Sequence, residues 1–149
     1  MKQFRVSLSI VLLTAVLAAC DREEPASLEQ AVDAGPRTLD QRIARGEKLY
    51  AAHCAACHQA SGHGLAGAFP PLAGADYLQA GSAAVVDVVL NGLSGPIVVN
   101  GEKYNSVMPK LSYLSDSDVA DVVTFVMNAW GNPGGEVSPA EVSAARNGN

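Results

Sequence analysis

The residues of this chain with the clearest chemical potential form one short stretch, Cys54-Ala55-Ala56-Cys57-His58. Cys-x-x-Cys-His is the pattern by which a c-type haem is attached to a protein. The two thiols would add to the two vinyl groups of the haem, and the histidine would bind the iron on one face. The stretch therefore predicts one covalently bound haem c.

A bare Cys-x-x-Cys also occurs in thioredoxin-like dithiols and in zinc sites. A redox dithiol is expected beside a βαβ pattern, which this sequence lacks. A zinc site would need two more thiol or imidazole ligands, and the candidates are His53, His63 and the distant Cys20. Both alternatives fit the stretch less well than haem attachment does.

The third cysteine, Cys20, ends an apolar N-terminal segment. Lys2 and Arg5 precede an apolar run over residues 6–19, which is too short to span a bilayer well and is typical of a secretory signal peptide. The last four residues, Leu-Ala-Ala-Cys, resemble a bacterial lipobox. We predict a lipoprotein signal peptide over residues 1–19 and lipid attachment at Cys20, which would anchor the protein to a membrane of the cell envelope, facing the periplasm. Cleavage as an ordinary signal peptide is the alternative.

The charge balance of the chain is acidic. The full sequence has ten basic and fifteen acidic residues, and loss of Lys2 and Arg5 with the signal would leave eight basic residues and a formal net charge of −7. This balance argues against nucleic acid as a partner and favours a redox partner protein with a basic docking patch. The length that remains suits one small domain.

Composition divides the rest of the chain into three stretches. Residues 20–37 contain few large apolar side chains and are predicted to be a flexible tether. Residues 38–132 are periodic and are predicted to form the domain. Asn-Pro-Gly-Gly then begins a stretch of small and polar residues, so 133–149 is predicted to be a disordered tail.

Helical periodicity within the domain predicts three main helices. The first is capped by Thr38 or Asp40, the second covers residues 82–90, and the third follows Ser115. Residues 97–101 read as a strand and a tight turn, which predicts a small hairpin. The expected fold class is therefore all-α with long ordered loops, and a haem would give those loops something to wrap.

The motif, the helix order and their spacing resemble class I cytochrome c over about residues 39–131. This resemblance implies the class I cytochrome c fold, with three main helices and long loops around one covalent haem. It also implies that Gly46 and Tyr50 of the first helix pack against Val122 and Phe125 of the last.

The family has a Pro-Leu pair after the haem motif, and Pro71-Leu72 matches it. The resemblance implies that the Pro71 carbonyl accepts the Nδ1 proton of His58, which would orient the ring, and that Leu72 lies on the haem. Phe69 and Pro70 are expected to be wall residues.

Two methionines remain once the signal is removed, Met108 and Met127. Met127 lies inside the third helix, where methionine commonly fills gaps in a core. Met108 belongs to a Met-Pro pair in a loop, which is how the family presents its axial sulfur, so the resemblance implies iron ligation by His58 and Met108. Five-coordinate or bis-histidine iron remains the alternative, although His53 and His63 are not expected to be ligands.

A His/Met pair closes both axial positions and is suited to one-electron transfer through an exposed haem edge. The sequence shows no Ser/His/Asp set, paired catalytic acids or phosphate loop, so we expect a carrier, not an enzyme, and no small-molecule substrate. Residues 92–96, 100–105 and 128–132 are similar to the cytochrome c domains of copper nitrite reductases and to the haem subunits of alcohol and aldehyde dehydrogenases.

These observations predict a membrane-anchored one-electron carrier on the periplasmic side. It would pass electrons between the respiratory chain and a periplasmic redox enzyme, such as a nitrite reductase or a terminal oxidase. The alternatives are a haem subunit of a periplasmic dehydrogenase complex and a haem-based ligand sensor.

Overall fold

The computed structural model describes residues 36–148, so the predicted signal peptide, Cys20 and nearly all of the predicted tether lie outside the described residues. Helices make up most of the regular structure, and none of those between residues 36 and 148 is both long enough and apolar enough to cross a bilayer. In chain order the elements are α1 (Leu39–His53), α2 (Ala55–His58), a 3-10 helix (Asp76–Ala80), α3 (Ser82–Asn91), β1 (Ile97–Val99), β2 (Glu102–Tyr104), α4 (Asp116–Asn128) and α5 (Pro139–Asn147). The predicted all-α fold is confirmed, and α1, α3 and α4 are the three predicted helices.

α1 begins at its predicted cap and ends at the haem motif. The Thr38 side chain accepts a hydrogen bond from the Gln41 backbone N–H, and the Gln41 side chain accepts one from the Thr38 N–H. This capping box satisfies two of the donors that the first turn leaves without partners. At the other end Cys54 is the C-cap, and its N–H donates to the Tyr50 carbonyl. The helix therefore carries the first motif cysteine at its C-terminal end.

α1 and α4 cross at Gly46. A Cβ atom added there would lie 2.7 Å from the Phe125 Cβ and still closer to the backbone carbonyl of Asp121. The Tyr50 ring contacts Phe125 with 5.5 Å between ring centroids, and Val122 is buried in the same core. Only the missing side chain allows the two helix backbones to approach this closely, which is why the crossing needs glycine.

Replacing Gly46 with alanine tests the crossing. On an open helix face this change stabilises a protein by about 0.5–1 kcal/mol, because alanine has the higher helix propensity. Here the added methyl group overpacks a tight contact, so we expect a loss of about 1–3 kcal/mol in the free energy of unfolding. Denaturant unfolding of the haem-loaded protein measures it, and a gain in stability would contradict the close approach.

α4 is capped by Ser115 in a second capping box. The Ser115 hydroxyl accepts from the Asp118 N–H at 3.1 Å, and the Asp118 carboxylate accepts from the Ser115 N–H at 3.3 Å. Arg45 of α1 also pairs with Asp118 at 2.7 Å. Burial by itself raises the pKa of Asp118, but the Ser115 hydrogen bonds and the Arg45 charge outweigh it, so this pKa lies below the ordinary 3.8.

The lowered pKa of Asp118 predicts a pH-dependent contribution to stability. A carboxyl whose pKa falls on folding stabilises fully above its unfolded pKa and loses that contribution as pH falls through the folded pKa. We expect the Asp118→Asn variant to be less stable than wild type by about 0.5–1 kcal/mol at neutral pH, with the gap closing below roughly pH 4. Urea titrations at several pH values measure the gap, and a gap of constant size in acid would contradict the assignment.

The predicted hairpin is present between α3 and α4. β1 and β2 pair antiparallel, with Ile97 opposite Tyr104 and Val99 opposite Glu102. Before the hairpin, Gly92 ends α3 with a φ of +75°, and an added Cβ would lie 2.6 Å from the Met108 carbonyl oxygen. Glycine at this position therefore lets the Met108 loop lie directly against the end of α3.

Three arginines converge on one buried carboxylate, that of Asp121. Asp121 of α4 is completely buried and pairs with Arg37 at 3.2 Å, Arg42 at 3.2 Å and Arg45 at 3.0 Å. Arg42 also pairs with Glu136 at 3.0 Å. Because Arg37 belongs to this cluster, the folded unit begins before residue 38, where the domain boundary was predicted.

The prediction of a disordered tail over residues 133–149 is wrong for the part described. Val137 is buried, its N–H donates to the Thr124 hydroxyl at 3.0 Å, and its carbonyl accepts from Arg42 at 3.3 Å. Ser138 then caps α5 in a third capping box, and Val142 of α5 has no exposed surface. The composition of the tail did not reveal that Val137 and Val142 are buried where α5 packs on the core.

Candidate haem site

The Cys-x-x-Cys-His stretch forms a tight turn at the end of α1. The N–H groups of Cys57 and His58 both donate to the Cys54 carbonyl, at 3.1 and 3.0 Å. The two cysteines are not joined in a disulfide and are partly buried, while the His58 side chain is buried. The turn therefore brings both cysteines and the imidazole close together.

His58 is oriented by a backbone carbonyl. Its Nδ1 lies 2.9 Å from the carbonyl oxygen of Pro70. Since a carbonyl can only accept, Nδ1 carries the proton and Nε2 keeps its lone pair. Such a hydrogen bond fixes the ring and raises its basicity as a metal ligand.

The acceptor differs from the one expected, because the carbonyl belongs to Pro70 and not to Pro71. Residues 65 and 69 pair through two backbone hydrogen bonds of 2.8 Å, which folds the loop back on itself. Gly64 lies against this fold, where an added Cβ would be 2.6 Å from the Pro70 carbonyl oxygen. The folded loop therefore presents Pro70 to the ring. Leu72, two residues later, lines the first of the two cavities described below.

Protonation in the site follows from burial. Burial lowers the pKa of His58 below 6.5, and the hydrogen bond to Pro70 opposes this effect only in part. Burial and the neighbouring Cys57 raise the pKa of Cys54 to about 11. Reactive dithiols of the thioredoxin type have a lowered thiol pKa, which is the opposite direction. Before the haem is attached, the motif therefore holds a neutral imidazole with a free Nε2 beside a protonated thiol.

His58 and Met108 line two cavities in common, and together we call these cavities the cleft. Cys54 belongs to one cavity and Cys57 to the other. The first is lined by apolar side chains from the 3-10 helix, α3 and α4: Tyr77, Leu78, Val85, Val88, Val89, Val122, Val123 and Val126. The second is lined mainly by loop and hairpin residues: Phe69, Pro70, Leu93, Ile97, Tyr104, Val107 and Pro109.

The cleft fits a haem by the chemistry of its walls. An apolar lining suits a large flat macrocycle, and one thiol in each cavity suits attachment at two points. His58 brings a free Nε2, and Met108 brings a thioether to the same cleft. From the sequence, the valines of α3 and α4 contributed only to the periodicity that predicts the two helices. Their role in the cleft appears only when the two helices meet.

Met108 is held by its backbone on the end of α3. Its N–H donates to the Leu93 carbonyl at 2.9 Å, and its carbonyl accepts from the Leu93 N–H at 3.0 Å. Met127, by contrast, is buried in the core and belongs to neither cavity of the cleft. The two methionines therefore lie in different surroundings, Met108 at the cleft and Met127 in the core.

The two remaining histidines lie outside the cleft. His53 is exposed and lies 3.4 Å from the Tyr113 hydroxyl, measured from Nδ1. His63 is partnered within its own loop, where Nδ1 lies 3.0 Å from the Ser61 carbonyl oxygen. Neither belongs to the residues that line either cavity.

Comparison with known proteins shows the family. The family described as cytochrome c matches residues 43–130 of this chain. The chain belongs to the cytochrome c family. It is therefore an electron-transfer protein and not an enzyme, and its cofactor is covalent haem c, for which Cys54, Cys57 and His58 supply the attachment motif.

Similar proteins include a cytochrome c-552 and cytochrome c subunits of dehydrogenases. Cytochrome c-552 of Thermus thermophilus is 46% identical over 93 residues, which cover 60% of this chain and 70% of that protein. The cytochrome c subunit of the quinone alcohol dehydrogenase of Gluconacetobacter polyoxogenes is 36% identical over 105 residues, or 68% of this chain and 22% of that protein. The cytochrome c subunit of gluconate 2-dehydrogenase of Pantoea cypripedii is 34% identical over 93 residues, covering 58% and 20%. The chain thus spans about a fifth of either dehydrogenase subunit.

Proposed function

We propose that this protein is a one-electron carrier whose haem iron is bound by His58 and Met108. In this proposal a lipid at Cys20 anchors it to a membrane on the periplasmic side. It passes electrons between the respiratory chain and a periplasmic redox enzyme such as a nitrite reductase or a terminal oxidase. The observation that carries the ligand assignment is that His58 and Met108 line the same two cavities, each of which also holds one motif thiol.

Each residue has a distinct role in this proposal. His58, oriented by the Pro70 carbonyl, would offer Nε2 to the iron, and Met108, held by Leu93, would offer its sulfur. The apolar walls would exclude water, which together with thioether ligation favours the reduced state and raises the potential. The bound haem supplies reversible one-electron chemistry at its iron.

Visible spectroscopy of the haem-loaded protein tests the ligand assignment. The proposal expects a low-spin ferric spectrum with the weak sulfur-to-iron band, and a ferrous form that forms no prompt carbon monoxide adduct and takes the gas up only slowly. A high-spin spectrum or a prompt carbon monoxide adduct would overturn ligation by Met108 and would favour a haem-based sensor instead.

A haem subunit of a periplasmic dehydrogenase complex is the second candidate. Similarity to the cytochrome c subunits of alcohol and gluconate dehydrogenases favours it. Native purification from membranes separates the two functions, because a carrier should elute at the size of one chain and a subunit should co-purify with a larger protein.

The proposals of a lipid anchor and of a basic docking partner are argued from the sequence. If Cys20 carries the lipid, Cys20→Ser should move the protein from the membrane fraction to the soluble periplasmic fraction.

The mature charge of −7 favours a partner with a basic patch, so electron exchange with that partner should slow as salt rises. A rate that does not depend on salt would argue against the basic patch.

A further inference from the structure

The C-terminal helix lies outside the family match. The match ends at residue 130, whereas α5 covers Pro139–Asn147. α5 packs against both α3 and α4, and its Val142 is completely buried. It is therefore an ordered addition to the part of the chain that the family defines.

One side chain of α5 reaches back to the segment ahead of α4. The Arg146 Nε pairs with the Asp116 carboxylate at 2.9 Å. Its Nη1 donates to the Ser112 carbonyl at 2.8 Å, and its Nη2 donates to the Leu114 carbonyl at 2.9 Å. All three guanidinium nitrogens thus donate to residues of one five-residue stretch, 112–116. We call these residues the α4 approach segment.

The α4 approach segment continues directly from the Met108 loop. Between them, the Leu111 N–H donates to the Val89 carbonyl of α3 at 2.9 Å, and the Leu114 N–H donates to the Leu111 carbonyl at 3.0 Å. Ahead of them, Met108 is paired with Leu93. The stretch from Met108 to α4 is therefore held by α3 on one side and by Arg146 on the other.

We propose that Arg146 is a positioning residue that keeps Met108 on the haem iron by holding the α4 approach segment in place. This inference rests on the proposed ligation by Met108. For the sulfur to leave the iron, the loop that carries it must move. Arg146 raises the cost of that movement because the loop and the α4 approach segment form one continuous stretch. A planar guanidinium suits this task, since its donors are arranged in a fixed fork.

The experiment compares Arg146→Gln with a matched variant, Arg45→Gln, in the full-length haem-loaded protein. Both arginines pair with a first-turn aspartate of α4, and their side chains are 32% and 35% exposed. Of the two, only Arg146 donates directly to residues of the α4 approach segment. The measured quantities are the rate of carbon monoxide uptake by the ferrous protein and the loss of the sulfur-to-iron band on warming below the unfolding temperature.

Arg146→Gln should take up carbon monoxide about fivefold to tenfold faster than wild type, as expected when hydrogen bonds from a charged donor are lost. It should also lose the band at a lower temperature. Arg45→Gln should lower the unfolding temperature but leave uptake within about twofold of wild type. Arg146→Lys, which keeps the charge but not the fork, should fall between wild type and Arg146→Gln. This conservative variant also serves if Arg146→Gln does not fold.

Two results would overturn the inference alone: wild-type uptake in both Arg146 variants, or equal acceleration in Arg45→Gln, which would mean general loosening. A wild-type protein without the sulfur-to-iron band would overturn the ligand assignment itself, and this inference with it. The two failures are therefore distinguishable in one set of spectra.

Discussion

Replacing Met108 with leucine is expected to abolish the sulfur-to-iron band and to open the iron to external ligands. Leucine is apolar and close to methionine in volume, so the walls of the cleft should stay packed. The ferrous variant should bind carbon monoxide stoichiometrically on mixing, whereas wild type should take it up only slowly. The reduction potential should fall by an amount on the order of 100 mV, because axial ligands set haem potentials over a range of about 0.8 V.

Met127→Leu is the matched control for Met108→Leu. Met127 is 2% exposed and belongs to the core of α4, outside the cleft. A volume-conserving change in a core costs less than about 1.5 kcal/mol, so the band, the potential and the slow uptake of carbon monoxide should all be kept. Loss of the band in Met127→Leu, or its survival in Met108→Leu, would contradict the assignment of the two methionines.

Replacing Asp121 with asparagine is expected to lower the free energy of unfolding by about 3–5 kcal/mol. The carboxylate is completely buried and faces Arg37, Arg42 and Arg45, so the change removes the negative charge while the arginines keep theirs. Charges left partly uncompensated in a buried site are costly. Small domains are stable by only about 5–15 kcal/mol, so the melting temperature should fall by at least about 10 °C.

The control for Asp121→Asn is Asp116→Asn on the same helix. Asp116 pairs with a single arginine, Arg146, and its side chain is 33% exposed. Pairs of this kind contribute about 0–1 kcal/mol, so the control should cost far less than the buried change. Denaturant unfolding of both haem-loaded variants measures the difference. Equal losses of unfolding free energy in the two variants would mean that the Asp121 carboxylate adds no more stability than an exposed ion pair does.

The sequence predicted the elements whose signals are local. Thr38 and Ser115 lie three residues before the side chains that complete their capping boxes. Both helix starts could therefore be predicted from residues that are close in sequence. The hairpin was readable for the same reason, since its strands are three residues long and separated by two. The tail was misread because composition cannot show that Val137 and Val142 find a buried surface elsewhere in the fold.

The site was predictable to the extent that its residues are neighbours in sequence. Cys54, Cys57 and His58 fall within one turn, so their spacing alone indicates haem attachment. The acceptor for His58 could not be chosen by the same means. Pro70 and Pro71 are adjacent and both offer a carbonyl, and only the folded loop between residues 65 and 69 selects the first.

The sequence by itself determined that the chain attaches a haem c, where its main helices begin, and which methionine belongs to the core. These properties depend on residues three or four positions apart, whose geometry a helix turn sets wherever it lies. Only the tertiary structure decided that Asp121 gathers Arg37, Arg42 and Arg45, which are 84, 79 and 76 residues away in sequence. It alone also decided that Arg146 reaches the carbonyls of Ser112 and Leu114, 34 and 32 residues earlier. Such partners are chosen by the packing of helices against one another, and no local pattern carries that information.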